Sequence, residues 1–130
     1  MGFFGSNRKR KVLLIDDEVS TRTMMAMFFE ELGFAVAEAS SGDHGIQVAD
    51  DESPDIILLD IMMPGLSGFD TLRYFRGNPK TQATPIIMVT ARDLVEDVEH
   101  CLEGGANDFI QKPFDLQTLR SKVEKFLPRK

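Results

Sequence analysis

The sequence predicts an α/β fold: a five-stranded parallel sheet with helices on both faces. Short apolar runs alternate with helical patterns five times along the 130 residues, the signature of repeated strand–helix units around a parallel sheet. The runs are also continuous rather than alternating, as in Ile56-Ile57-Leu58-Leu59, and a strand apolar on both sides is one covered on both sides. Parallel neighbours need right-handed crossovers, which distributes the helices over the two faces.

Residues 12–15 are apolar throughout and stop at Asp16, Asp17 and Glu18, as expected of a buried strand that ends in a polar loop. Over 20–32, Met24, Met27, Phe28 and Leu32 fall at i, i+3, i+4 and i+8. This spacing predicts a helix capped near Ser20 and stopped by Gly33. The helix is rich in methionine, which suits either a core face or an adaptable binding face, with Met25 and Phe29 as the expected exposed pair. Residues 34–39 form the second strand, Ser41-Gly42-Asp43 opens a helix carrying Ile46, Val48 and Ala49, and Pro54 closes that unit. The third strand, 55–59, ends abruptly at Asp60. Pro64, Gly65 and Gly68 then mark a turn-rich loop, and Phe69, Leu72, Tyr74 and Phe75 carry a helix that Gly77-Asn78-Pro79 breaks. Pro85 introduces a strand over 86–89 that ends at Thr90. A helix over about 92–103 places Leu94, Val98, Cys101 and Leu102 on one face and ends at Gly104-Gly105. Phe109-Ile110 make a short fifth strand finishing at Lys112-Pro113, and Leu116, Leu119, Val123, Phe126 and Leu127 make the last amphipathic helix.

Composition narrows the function classes. With 15 Lys and Arg against 21 Asp and Glu, the net charge is −6, the wrong sign for a domain that neutralises nucleic-acid phosphates. The single cysteine, Cys101, cannot form an internal disulfide, and no Cys/His spacing suits zinc, so a reducing, cytoplasmic setting is expected. No apolar run approaches the roughly 20 residues that span a bilayer. Gly2 and Ser6 match a loose myristoylation pattern, with Arg8, Lys9, Arg10 and Lys11 as a possible electrostatic anchor. The plainer reading is a solvated basic arm without a stable membrane anchor. The expected organisation is a flexible arm over 1–9, one domain over 10–127 and a tail over 128–130.

In open parallel sheets, ligands sit outside the carboxyl ends of the strands. Those positions are Asp16 and Asp17, Asp60, Thr90 and Lys112. Two carboxylates about 4 Å apart repel by roughly 4 kcal/mol at an effective dielectric near 20, so a cluster holds either protons or a cation. An all-oxygen donor set with few protein ligands suits Mg²⁺ better than Ca²⁺. A carboxylate beside Mg²⁺ can act as a nucleophile, and phosphoryl transfer needs its developing charge compensated. Mg²⁺, the Lys112 ammonium and the Thr90 hydroxyl could supply that compensation. Alone, Asp16 and Asp17 also fit a strand-end turn or a helix cap, Thr90 a β-branched strand residue and Phe109 a core aromatic. No Gly-x-x-x-x-Gly-Lys-Ser/Thr loop is present to cradle a nucleotide phosphate. His44 and His100 fall outside the strand-end pattern.

Four stretches carry a resemblance: Val12-Leu-Leu-Ile-Asp-Asp-Glu18, Pro54-Asp-Ile-Ile-Leu-Leu-Asp-Ile-Met-Met-Pro-Gly-Leu-Ser-Gly68, Pro85-Ile-Ile-Met-Val-Thr-Ala91 and Gly105-Ala-Asn-Asp-Phe-Ile-Gln-Lys-Pro-Phe114. Together they resemble the receiver domain of two-component response regulators, in the CheY-like superfamily, over about residues 10–127. The resemblance implies a flavodoxin-like sheet of order 2-1-3-4-5, with Asp60 as phosphoacceptor. It implies Mg²⁺ held by Asp16, Asp17, Asp60 and the main-chain carbonyl of Met62, with Lys112 and Thr90 on the phosphoryl group. It further implies that Thr90 and Phe109 form the switch pair, that Lys112-Pro113 is cis, and that Met62 and Arg92 flank the path of the hydrolytic water and slow dephosphorylation. The implied phosphodonor is a histidine kinase or histidine phosphotransfer protein. Output to a downstream protein runs through the surface of helix four, strand five and helix five. Asp93, Glu96, Asp97, Glu99 and Glu103 of helix four otherwise read as a solvated face. Such a chain is a signalling domain and not an enzyme acting on other substrates. The rival readings are a receiver segment of a longer regulator or hybrid kinase, and a Mg²⁺-dependent phosphatase with an aspartyl nucleophile. That last class usually shows Asp-x-Asp at strand one, where this chain has Asp16-Asp17.

Overall fold

The computed structural model describes residues 8–91 and 95–127. Arg92, Asp93, Leu94, most of the basic arm and the tail lie outside the described residues, as do the side chains of Glu96 and Asp97. The elements are β1 Lys11–Ile15, α1 Val19–Glu31, β2 Ala35–Ala39, α2 Gly42–Glu52, β3 Ile56–Leu59, α3 Gly68–Gly77, β4 Ile86–Thr90, α4 Val95–Glu103, β5 Asp108–Gln111 and α5 Leu116–Phe126. All strand pairs are parallel, in the order β2-β1-β3-β4-β5.

The period of two in each strand divides the core into two layers. Val12, Leu14, Ile56, Leu58, Ile87 and Val89 meet Met25 and Phe29 of α1 and Leu119 and Val123 of α5. Leu13, Ile15, Ile57, Leu59, Ile86 and Met88 meet Ala49 of α2, Leu72 and Phe75 of α3 and Cys101 of α4. Each such side chain contributes about 1.5–3 kcal/mol on burial, so β1, β3 and β4 are the most firmly fixed parts of the molecule. Their carboxyl ends are therefore a rigid platform.

Helix starts follow local capping chemistry: Ser41 accepts from the His44 N–H, Ser67 from that of Asp70 and Asp115 from that of Thr118. Helix α1 departs from expectation twice. It begins at Val19 after Glu18, with no side-chain cap. The Glu18 N–H bonds instead to the Asp16 carboxylate at 2.9 Å, so the loop is oriented from its buried side. Its buried face is also the other one: Met25 and Phe29 are 1% and 0% exposed, whereas Met24 and Met27 are 42% and 59% exposed. Residues 24–29 are apolar all round, so periodicity offers two neighbouring stripes. The sheet takes the one in which the Phe29 ring sits edge-on to Phe34, 5.3 Å between centroids. Leu102, expected beside Cys101 on the inner face of α4, is half exposed while Cys101 is fully buried, because consecutive helical residues point about 100° apart. Tyr74 likewise faces out from α3.

Arg76, near the end of α3, ties down the edge of the sheet opposite the strand carboxyl ends. Its guanidinium donates to the carbonyls of Gly105 (2.8 Å), Thr81 (3.0 Å) and Thr84 (2.8 Å) and to Asn107 Oδ1 (2.9 Å). Asn107 Oδ1 also accepts the Ile86 N–H at 2.8 Å, so one network joins the loops entering β4 and β5. Among the described residues, no helix is long and apolar enough to cross a membrane.

Candidate functional site

Each strand-end residue singled out above follows directly from a core strand. Asp16 leaves β1 and is 1% exposed, Asp60 leaves β3 and is 5% exposed, and Thr90 ends β4 fully buried. Lys112 follows β5, its N–H bonded to the Thr90 carbonyl at 2.7 Å. The backbone pins the carboxylates further: the Asp16 N–H donates to the Ala39 carbonyl at 3.1 Å and the Asp60 N–H to the Ile15 carbonyl at 3.0 Å. Of these four strands, β1, β3 and β5 bring the side chains of Asp16, Asp60 and Lys112 into contact.

Lys112 Nζ lies 2.7 Å from Asp16 Oδ2 and 3.3 Å from Asp60 Oδ2. The other carboxylate oxygens are held by main chain: Asp16 Oδ1 accepts the Glu18 N–H, and Asp60 Oδ1 accepts the Met62 N–H at 3.1 Å. Asp17 is exposed, yet one oxygen each of Asp16, Asp17 and Asp60 lies within 4.8 Å of the others. Three carboxylates against one ammonium leave two negative charges in excess, and all donors are oxygen. That composition fits a divalent hard cation such as Mg²⁺; Asp16, Asp17 and Asp60 are the side chains able to hold it.

The electrostatics follow from burial. Desolvation, and then the charge of Asp16, raise the Asp60 pKa from 3.8 to about 6, against the opposing pull of Lys112 and the Met62 N–H. For Lys112, burial works against its charge, but the hydrogen bond to Asp16 and the charges of Asp60 and Asp16 outweigh it, so its pKa is raised. A carboxylate held reluctantly ionised beside a firmly charged lysine is an arrangement in which added positive charge is strongly favoured.

Of the remaining expected residues, Met62 and Pro113 lie in the loops that follow β3 and β5, and Phe109 lies within β5. The Lys112-Pro113 peptide is cis. Phe109 is half buried against the second core layer, in register with Met88, and Thr90 pairs with Gln111. Met62 is half exposed beside Asp60; Arg92 falls outside the described residues. His44 and His100 are on α2 and α4, and the His100 ring stacks on Phe69 at 4.2 Å. Two neighbours escape sequence reading. Glu18 Oε1 lies 3.7 Å from Lys112 Nζ, and Arg22 Nη1 donates to the Asp16 carbonyl at 2.6 Å. Arg22 does leave a trace: a cation early in α1 opposes the helix dipole, which signals a tertiary partner.

Comparison with known proteins gives a consistent picture. The family model for the response regulator receiver domain matches residues 12–124. The chain is 35% identical over 120 residues to the phosphate regulon transcriptional regulatory protein PhoB of Escherichia coli, covering 92% of this chain and 52% of PhoB. It thus spans about half the length of that relative. It is 34% identical to Protein PilH of Pseudomonas aeruginosa, covering 90% of this chain and 97% of PilH. Among solved structures, Vibrio cholerae chemotaxis protein CheY4 superposes with a TM-score of 0.88 at 29% identity, covering 92% of this chain and all of that one. The receiver domain of the Pseudomonas aeruginosa sensor histidine kinase PA1611, with magnesium coordinated in its active-site cleft, gives 0.84 at 29% identity, covering 92% and 98%.

Proposed function

The chain belongs to the response regulator receiver domain family, and from that premise we propose that it is a Mg²⁺-dependent phosphoacceptor switch with Asp60 as the acceptor. The observation that carries this reading is the Lys112 ammonium bridging Asp16 and Asp60, with Asp17 in reach. Asp16, Asp17, Asp60 and the Met62 carbonyl would hold the cation. When bound, Mg²⁺ supplies positive charge to the phosphoryl oxygens and offsets the repulsion among the carboxylates.

In the proposed step an Asp60 oxygen attacks the phosphorus of a phosphohistidine on a histidine kinase or phosphotransfer protein. The O–P bond forms as the P–N bond breaks, and the imidazole leaves with the electron pair and takes a proton from solvent. Lys112 compensates the charge that develops on the phosphoryl group, and the Thr90 hydroxyl donates to a second oxygen. The phosphorylated carboxyl carries nearly one more negative charge than Asp60. Thr90 is then drawn toward it and Phe109 moves into the space vacated, which alters the face formed by α4, β5 and α5 for a downstream protein. Taking such a pair of states from 1:99 to 99:1 needs about 5.5 kcal/mol of differential interaction, within reach of three charge-assisted contacts. Met62 and Arg92 restrict the approach of water and lengthen the lifetime of the acyl phosphate. The setting is cytoplasmic, and the chain acts on its own Asp60.

Incubation with acetyl phosphate and Mg²⁺ should label the wild type; EDTA should prevent this, and Asp60→Asn, folded by circular dichroism, should remain unlabelled. Persistent labelling of Asp60→Asn refutes the assignment. A second reading, a receiver segment acting on an output module in the same polypeptide, is favoured by the 52% coverage of PhoB; the length of the native open reading frame decides it.

A further inference from the structure

We propose that Arg22 is a positioning residue for the cation site: its guanidinium fixes the Asp16–Asp17 peptide and, with it, the direction in which Asp17 presents its carboxylate. The proposal rests on the reading of Asp16, Asp17 and Asp60 as cation ligands.

The guanidinium uses two edges at once. Nη1 donates to the Asp16 carbonyl at 2.6 Å, and Nε donates to Glu38 Oε1 at 2.9 Å. Arg22 belongs to α1 and Glu38 to β2, so one planar group links a helix and an outer strand to the loop leaving β1. The side chain is only 16% exposed, which holds the fork in place. Every other polar group of Asp16 is already engaged, its N–H by Ala39 and its carboxylate by the Glu18 N–H and Lys112. The carbonyl is the remaining handle, and it shares a rigid plane with the N–H of Asp17. Turning that plane turns Asp17, the one exposed member of the carboxylate trio.

Charge alone would argue against a cation at this point. A guanidinium beside the site repels a divalent ion, and one early in a helix opposes the dipole. Pairing with Glu38 offsets the charge while leaving the geometry of the fork, as expected of a group kept for orientation. Lysine carries the same charge on a similar stem but has no second edge with which to bond both partners.

Mg²⁺ dissociation constants of the purified, unphosphorylated chain, measured by calorimetric titration alongside urea midpoints, test this. Arg22→Lys should weaken Mg²⁺ binding by about tenfold, the scale of lost support to a metal ligand, and Arg22→Ala by at least as much. Asp17→Asn provides the reference loss. Were Arg22 only a charge, Arg22→Lys would bind as wild type and Arg22→Ala more tightly. Were it only structural, both midpoints would fall while the dissociation constant stayed fixed. Either result overturns the proposal. Should the wild type fail to bind Mg²⁺, or Asp17→Asn bind it unchanged, the cation-site reading falls and this inference with it.

Discussion

Asp60→Asn should stabilise the metal-free protein. The substitution preserves shape and an acceptor for the Met62 N–H, and removes one buried negative charge. Raising the Asp60 pKa from 3.8 to about 6 means that the folded state disfavours the ionised form by about 3 kcal/mol, at 1.36 kcal/mol per pH unit. The pull of Lys112 is already included in that value; it is a ceiling because an amide that keeps its oxygen on the Met62 N–H turns an NH₂ donor toward the Lys112 ammonium, which lies 3.3 Å from Asp60 Oδ2. A gain of about 1–2 kcal/mol is expected at pH 7.5 in EDTA. The sign of the pH dependence follows from the raised value: between about pH 4 and pH 6 the folded wild type binds more protons than the unfolded chain, so its stability falls as pH rises through that window. The advantage of Asp60→Asn should therefore be near zero below about pH 4 and complete above about pH 6. Saturating Mg²⁺ should shrink it, since only the wild type keeps all three carboxylates. Urea midpoints for both proteins across this range, with EDTA and with Mg²⁺, provide the assay. An Asp60→Asn protein no more stable than wild type at pH 7.5 in EDTA, or an advantage that does not change with pH, would refute the electrostatic account of the site.

Two further outcomes follow from local geometry. A Cβ on Gly68 would meet the Asp60 carbonyl oxygen at 2.3 Å, whereas one on Gly77 meets nothing within 4 Å; urea denaturation should show Gly68→Ala destabilised by about 1–3 kcal/mol and Gly77→Ala neutral or stabilised by up to about 1 kcal/mol. The phosphorylated parent should lose its label more slowly than a Met62→Asn, Arg92→Glu variant after removal of the donor; equal or faster decay in the parent contradicts the shielding role of these side chains.

The sheet and its strand-end residues were legible because both depend on local sequence. A run such as Ile56-Ile57-Leu58-Leu59, set among repeated strand–helix alternations, suits a strand covered on both faces, and the first polar residue after it then marks the carboxyl edge. Asp16, Asp60 and Thr90 stand at such edges, and Lys112 comes one residue later, after Gln111. The face of α1 was not legible, since Met24, Met25, Met27, Phe28 and Phe29 surround the helix and the choice is made by contact with Phe34 and the sheet. Glu18, Arg22 and Arg76 were missed for a different reason. Their partners are main-chain carbonyls or groups far away in the chain, and a carbonyl leaves no mark in a sequence. Only the unfavourable place of Arg22 in α1 hinted at a contact.

Arg76 illustrates what that kind of contact means for sequence drift. Its guanidinium bonds to the backbone oxygens of Thr81, Thr84 and Gly105 rather than to their side chains, so the identity of the loop residue does not enter the interaction. Thr84 could change while its anchorage persisted. Thr81 is bound by its own hydroxyl bond to Phe75, and Gly105 by a φ of +104° with Arg76 Cγ 2.9 Å from where a Cβ would stand. Related chains should therefore vary freely at 82–84 while retaining the Arg76–Asn107 pair, which lets the outer loop take on new surfaces without disturbing the strands that carry Thr90 and Lys112 to the opposite edge.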